Sequence, residues 1–228
     1  MNKKIELKEL EKVDGIGEVT IGKVRERLIK DNRIEKYSFD QISFPRKQYE
    51  IIYADPPWSY YNGTTKEQTE EDFGDFYNRP DQYYDLLSIE DLKRFPVEKI
   101  SAEQSLLFMW ATGPKLHRAI ELIRGWGFKF VTVPFVWIKT QKDGSIRQNG
   151  NGWYTIQNAE YVLLGRKGVR LDRSRKDQKQ IVLEPNKEHS KKPEEIRNRI
   201  DKMYQGGNKI ELFARQDVKG WDVWGKEV

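Results

Sequence analysis

The 228-residue chain contains no cysteine, which removes disulfides, thiolate nucleophiles and cysteine-ligated zinc together. Its two histidines, His117 and His189, are too few for a histidine-built centre, so no metal is expected. No apolar run approaches the roughly 20 residues of a membrane span, and the opening MNKKIELKEL lacks the apolar core of a secretion signal. A cytoplasmic protein with no membrane partner is the expectation. Internal repeats and low-complexity tracts are missing, and no G-x-G-x-x-G follows any strand-like run. What is present is length enough for one substantial core and an appendage of about 30 residues. Charged residues make up 34% of the chain, and 41 basic against 36 acidic residues favour a polyanionic partner.

Residues 1–30 are helical in composition but interrupted by DGIG at 14–17, which predicts two short helices around a tight turn. YEIIYA at 49–54 is a short apolar run stopped by prolines, as in a buried parallel strand. Residues 59–84 are polar, aromatic and acidic without a period, and predict a long surface loop. SIEDLKRF at 88–95 opens like a capped helix, Ser88 standing three residues before Asp91. SLLFMW at 105–110 predicts a strand, PKLHRAIELIRGWG at 114–127 an amphipathic helix, and FKFVTVPFVWIK at 128–139 a strand whose Pro134 needs a bulge or an edge. A second long loop at 141–155, a strand at 158–165, a helix at 192–203 and a closing strand, KIELFAR at 209–215, complete the series. Strands alternating with helices predict an α/β fold with a mostly parallel sheet. The expected division is a helical segment at 1–36 and one α/β domain at 37–228.

The strand at 49–54 runs straight into Asp55, Pro56, Pro57 and Trp58. Ligands of open α/β sheets bind beyond the carboxyl ends of strands, which is where Asp55 falls. The prolines donate no hydrogen bonds and fix their own φ angles, so neighbouring carbonyls can face outward as acceptors. Asp55 adds another acceptor and Trp58 a flat apolar face. Such a group can accept hydrogen bonds from an amino group while stacking on the ring that bears it. An exocyclic amine is a poor nucleophile because its lone pair is delocalised; acceptors around its hydrogens favour a pyramidal nitrogen that can attack an electrophilic methyl. Taken alone, DPPW fits a rigid turn at a strand end equally well.

Beyond DPPW, the chain carries YYDLLSIEDL at 83–92, SLLFMWAT at 105–112, WGF at 126–128, NAEYVLLGRKG at 158–168, HSKKP at 189–193 and IELFARQDVKGWDVWGKE at 210–227. In order and spacing this set resembles the MT-A70 class of adenine N6-methyltransferases, from about Tyr49 to the C-terminus. The resemblance implies a Rossmann-like, S-adenosylmethionine-dependent methyltransferase whose motif order is circularly permuted, the catalytic strand first and the cofactor strand last, which accounts for the missing glycine loop. It implies that Asp55, Pro56, Pro57 and Trp58 hold the target amine. Tyr84 and Glu160 would face the target, and Lys192 would contact cofactor or target. Arg215 and Asp217 would lie near the cofactor's ribose, Asp40 near its adenine, and Asp55 near both ligands. Lys226 and Glu227 fall where many relatives carry an amide-bearing pair, so Lys226 departs from the pattern. If the substrate is duplex, the base must leave the stack, and Trp58, Tyr60, Tyr61 and Tyr84 are placed to receive it.

The segment at 10–28 resembles a helix-hairpin-helix element, with Gly15 and Gly17 letting backbone N–H groups approach a phosphate and Lys23 and Arg25 on the next helix. It favours DNA over RNA. A second basic stretch, 166–179, has Lys or Arg at every second position on average and suits either a nucleic-acid backbone beside the active site or a solvated loop. The expectation is adenine N6 methylation of DNA; RNA methylation and a catalytically silent nucleic-acid-binding partner stand as alternatives. Relatives often pair through the segment matching 141–155, so the resemblance allows a homodimer or a partner subunit.

Overall fold

The computed structural model describes residues 44–58, 87–149, 154–186 and 191–225. The expectations at Gly15, Gly17, Lys23, Arg25, Asp40, Tyr60, Tyr84, Lys226 and Glu227 lie outside these residues, as do the helix-hairpin-helix segment and the loop at 59–84.

Strand β1 is Tyr49–Ala54, and five of its six side chains are buried. It is a central strand covered on both faces, which is why it reads as a nearly continuous apolar run. Short helices α1 (Ile89–Lys93) and α2 (Val97–Ile100) follow. Ser88 caps α1 as expected: its Oγ accepts from the Asp91 amide at 3.1 Å and donates to the Asp91 carboxylate at 2.7 Å. Strand β2 (Ser101–Thr112) leads through a 3₁₀ turn at Gly113–Lys115 into α3 (Leu116–Gly125), which buries Ala119, Leu122 and Ile123. Strands β3 (Lys129–Thr140), β4 (Ala159–Lys167) and β5 (Ile181–Pro185), helix α4 (Glu194–Met203), and strands β6 (Lys209–Leu212) and β7 (Asp222–Trp224) complete the elements of the described residues.

The seven strands form one sheet in the order β5-β3-β4-β2-β1-β6-β7. β4 pairs antiparallel with β2 and β3, and every other pairing is parallel. The expected mostly parallel sheet is thus observed, with one reversed strand inside it. Pro134 is accommodated by register shifts between Phe130 and Phe135, a bulge rather than an edge, since β3 lies between β4 and β5. The first part of the expected loop at 141–155 is ordered: Gly144 takes φ 85°, and the Arg147 amide donates back to the Lys139 carbonyl at 2.9 Å.

β5 and β7 carry too little sequence signal to be expected. β5 has only five residues behind a basic run, and β7 only three in a glycine-flanked segment, too short to show a period. The closing strand stops at Leu212 rather than Arg215 because Phe213 takes φ 61°, a left-handed conformation that ends a strand.

Helix α4 packs Ile196 and Ile200 onto the sheet face formed by Ile51, Tyr53, Leu106, Phe108, Trp110, Phe135, Trp137 and Val162. The opposite face receives α3. Close approach there depends on Gly165, where an added Cβ would sit 2.9 Å from Ile123 of α3 and 3.0 Å from Phe128.

Candidate active site

β1 and β6 lie side by side and parallel, with Ala54 level with Leu212. The chain leaves β1 towards β2 on one side and leaves β6 towards β7 on the other. That divergence opens a crevice beyond the carboxyl ends of the two strands, the position at which α/β sheets bind ligands. Asp55 is the first residue past β1, and Arg215, Gln216 and Asp217, all exposed, follow the end of β6.

Around Asp55 the turn is tightly held. The Trp58 amide donates to the Pro56 carbonyl at 2.8 Å, a three-residue turn centred on Pro57, and the Leu87 amide donates to the Pro57 carbonyl at 2.9 Å. Each proline carbonyl expected to face outward therefore has one lone pair engaged and one left. Trp58 differs from the expected open stacking face. The residue is 6% exposed, and its indole N–H donates to the Trp110 carbonyl at 3.3 Å. Apolar burial and that hydrogen bond make it an anchor of the turn.

Asp55 heads a row of four alternating charges. Lys192, from the segment entering α4, sits 3.2 Å from Asp55 Oδ2 and 3.1 Å from Glu160 Oε2, and Lys139 at the end of β3 is 2.5 Å from Glu160 Oε1. The reversal of β4 explains how Glu160 arrives here: running against its neighbours, β4 begins at the edge where they end, opposite Thr112 of β2 and Trp137 of β3. Both ammonium groups ride on indoles, Lys192 at 5.4 Å from Trp110 and Lys139 at 5.1 Å from Trp137. Trp110 is itself fixed by donating to the Tyr53 hydroxyl at 2.6 Å.

The row sets the protonation of both acids. Burial raises the Asp55 carboxyl above its ordinary value, Lys192 only partly offsetting this, and nearby Glu160 raises it further. Burial acts on Glu160 in the same direction, but Lys192 and Lys139 together outweigh it and hold Glu160 below its ordinary value. Asp55 remains 30% exposed while Glu160 is only 10% exposed, so Asp55 is the carboxylate a ligand reaches first.

Of the sequence-derived candidates, Asp55, Glu160 and Lys192 are brought into one contact, with Pro56, Pro57 and Trp58 building the turn beneath them. Arg215 is close enough to lower the Asp55 pKa, whereas Asp217 stands exposed two residues further on. Sequence reasoning misses Lys139, Trp110 and Trp137. The available signal is modest, a lysine and tryptophans at strand ends that the sheet order brings together. It misses Phe213 too. The left-handed backbone of that residue turns the chain out of β6 just before Arg215, while its ring packs against Phe95 at 5.4 Å and Trp224 at 5.7 Å. A non-glycine residue there costs on the order of 1–2 kcal/mol, which points to a constraint on that turn. The basic stretch at 166–179 starts away from this site. It begins where β4 ends, with Lys167 opposite Ser105, seven residues from Glu160.

S-adenosylmethionine has a cationic sulfur, a ribose diol, an adenine ring and an amino-acid end. The groups that follow the two strand ends would suit these parts: the Asp55 and Asp217 carboxylates and the Arg215 guanidinium. Fold and site together define a Rossmann-like methyltransferase that uses S-adenosylmethionine. The chain belongs to the MT-A70 family, whose model matches residues 49–227, and it is an adenine N6-methyltransferase. It is 37% identical over 192 residues to the type II methyltransferase M.MunI of a Mycoplasma species, covering 81% of this chain and 79% of that one. It is also similar to the N(6)-adenine-specific methyltransferase METTL4 of Mus musculus, 29% identical across 80% of this chain and 38% of the relative. The N(6)-adenosine-methyltransferase catalytic subunit METTL3 of Homo sapiens is 25% identical across 74% of this chain and 26% of its own length. The chain thus spans under two-fifths of these two animal relatives.

Proposed function

We propose that this protein methylates the N6 amino group of adenine in DNA. The observation that carries the choice of polymer is the 37% identity to a type II methyltransferase over about four-fifths of both chains. In contrast, relatives named as adenosine methyltransferases match at 24–28% and are covered only over about a quarter of their length. The helix-hairpin-helix-like segment at 10–28 supports the same reading. The adenosine-named relatives favour RNA as the second reading.

In this reading Asp55, partly exposed at the strand end, accepts a hydrogen bond from the adenine amino group, and the free lone pairs of the Pro56 and Pro57 carbonyls supply further acceptors. The rigid proline turn presets their directions, so little reorganisation accompanies the reaction. The arriving amine competes with Lys192 for Asp55; Lys192 retains Glu160, which Lys139 holds from its other side. Arg215 and Asp217, which follow the end of β6, would hold the cofactor. The bound S-adenosylmethionine supplies a methyl group on a positively charged sulfur. On methyl transfer to N6 the sulfur would keep the electron pair of the broken carbon–sulfur bond, and Asp55 would take up the proton released from N6.

The test is mass spectrometry of nucleosides after incubating the full chain and methyl-labelled S-adenosylmethionine with duplex DNA, single-stranded DNA and RNA. Labelled N6-methyladenine is expected in DNA, and label confined to RNA would overturn the choice of polymer. Removing residues 1–36 is expected to weaken DNA binding more than RNA binding.

A further inference from the structure

The chain's excess of positive charge is not spread over its surface. The stretch at 166–179 holds seven basic and two acidic side chains, an excess of five, and the rest of the chain holds 34 of each sign. The whole net charge of +5 is therefore attributable to this one stretch. Folding does not disperse it. The strap leaves the far end of β4, where Lys167 pairs with Ser105, about 23 Å from Glu160 at ~3.3 Å per residue. Leu171 tucks against the core beneath α4. The Ser174 amide donates to the Met203 carbonyl at 2.8 Å, and Arg199 donates to the Lys179 and Ile181 carbonyls at 2.6 and 2.9 Å. The backbone is thus fixed along the side of α4 while Arg170, Arg173, Arg175, Lys176 and Lys179 face solvent in whole or in part.

Like charges are also brought together rather than separated. Lys129 and Arg166 stand directly opposite across β3 and β4, an arrangement that is unfavourable without an anion. Arg170 and Arg173 both lie close enough to the Tyr204 phenol to oppose the rise that burial imposes on its pKa. Arg175 is matched by Asp177, but no carboxylate partner is seen for Arg170, Arg173, Lys176 or Lys179 among the described residues. An ordered backbone with uncompensated, converging cations is what a polyphosphate chain requires of its partner.

We propose that residues 166–179 form a phosphate track that grips nucleic acid along the side of α4, starting at the opposite end of β4 from the reacting base and returning towards it where Ile181 pairs with Val136. It lengthens the footprint of the substrate without touching the chemistry. This rests on nucleic acid being the substrate, whichever polymer it is.

The test is equilibrium binding of the full chain to labelled oligonucleotides of about 8 and about 30 nucleotides, as DNA and as RNA, each centred on an adenine and titrated across salt. At ~3.4 Å per step the shorter probe extends only about 14 Å from its centre and stops short of the start of the track; the longer one reaches it. The variant replaces Arg170, Arg173 and Lys176 with Gln. On the long duplex probe its affinity is expected to fall at least tenfold near 0.15 M salt, and the log–log salt slope to flatten by about 3. The short probe and kcat at saturating substrate should stay within twofold. Replacing Arg170 and Arg173 with Lys instead should restore most of the affinity. An unchanged slope on the long probe overturns the track, and so does an equal loss on both lengths. Because binding is read without turnover, failure of the unaltered protein to methylate DNA would strike the polymer assignment and leave this result standing.

Discussion

Two charged regions of the molecule follow opposite rules. At the carboxyl edge of the sheet, Asp55, Lys192, Glu160 and Lys139 alternate in sign, sum to zero and are at most 30% exposed. Along the α4 side, the 166–179 strap is largely exposed and unbalanced. Buried charges must be compensated by protein because water cannot do it. Exposed ones can be left for a partner, since water solvates them cheaply until the partner arrives. The difference shows which charges serve geometry and which serve association, and it fixes the kind of damage each substitution should do.

The largest effect is expected at the head of the buried row. Asp55→Ala removes the acceptor that meets the target amine, and loss of one preorganised group of this kind lowers the rate by roughly a thousandfold. Quantified N6-methyladenine in single-turnover reactions reads this directly, and a rate within tenfold of the unaltered protein would remove Asp55 from the reaction. Glu160→Gln should damage stability as well, because two lysines at 15% and 18% exposure lose their shared counter-ion. Breaking such a pair from one side costs on the order of 3 kcal/mol, measurable by urea unfolding. If Glu160→Gln unfolds at the same urea concentration, the four charges do not form one compensated unit.

The row also predicts how pH acts, with opposite signs for its two acids. Glu160 is held below its ordinary value despite burial, so its stabilisation is complete above the unfolded carboxylate range near 4.3 and is lost as pH falls through its lowered value. Lys139→Met removes part of that support and should move acid unfolding to higher pH. Asp55 is raised, so its ionised form burdens the fold at neutral pH, and that burden disappears on acidification. Because only the carboxylate can take up the N6 proton, the acid limb of kcat/KM should lie above the ordinary aspartate range, and Lys192→Met should push it higher still. An acid limb at or below about pH 4 would show that Asp55 does not titrate in the reaction.

The sequence disclosed most of what lies along one strand or helix and little of what strands share. The rigid turn at DPPW, the Ser88 cap and the Pro134 bulge are local, and each is observed. Glu160 is found by family resemblance, but its second lysine is not, because Lys139 is 21 positions away and meets it only through the antiparallel register of β3 and β4. The outward stacking face assigned to Trp58 fails for the same reason: nothing in the tetrapeptide says that the Trp110 carbonyl will receive its indole N–H. The basic stretch is legible as composition, but the distance of its start from the site depends on β4 running against its neighbours.

The smallest expected effect lies within the strap itself and separates its paired from its unpaired cations. Arg175 holds Asp177 through two contacts, 3.1 Å from Nε and 2.5 Å from Nη2, with both side chains more than half exposed. A pair so open to solvent contributes little to stability, so Arg175→Gln should shift the melting temperature by no more than about 2 °C. It should also disturb nucleic-acid binding less than Arg173→Gln, for a reason of charge rather than position. Arg175 and Asp177 together present no net charge to a phosphate, so a phosphate gains little from meeting them, whereas removing Arg173 deletes a full uncompensated cation and should flatten the salt slope by about 0.9. Equal slopes for the two variants would mean that the ion pair opens on binding and Arg175 joins the track; a larger effect at Arg175 would place the phosphates nearer Asp177 than the uncompensated cations imply.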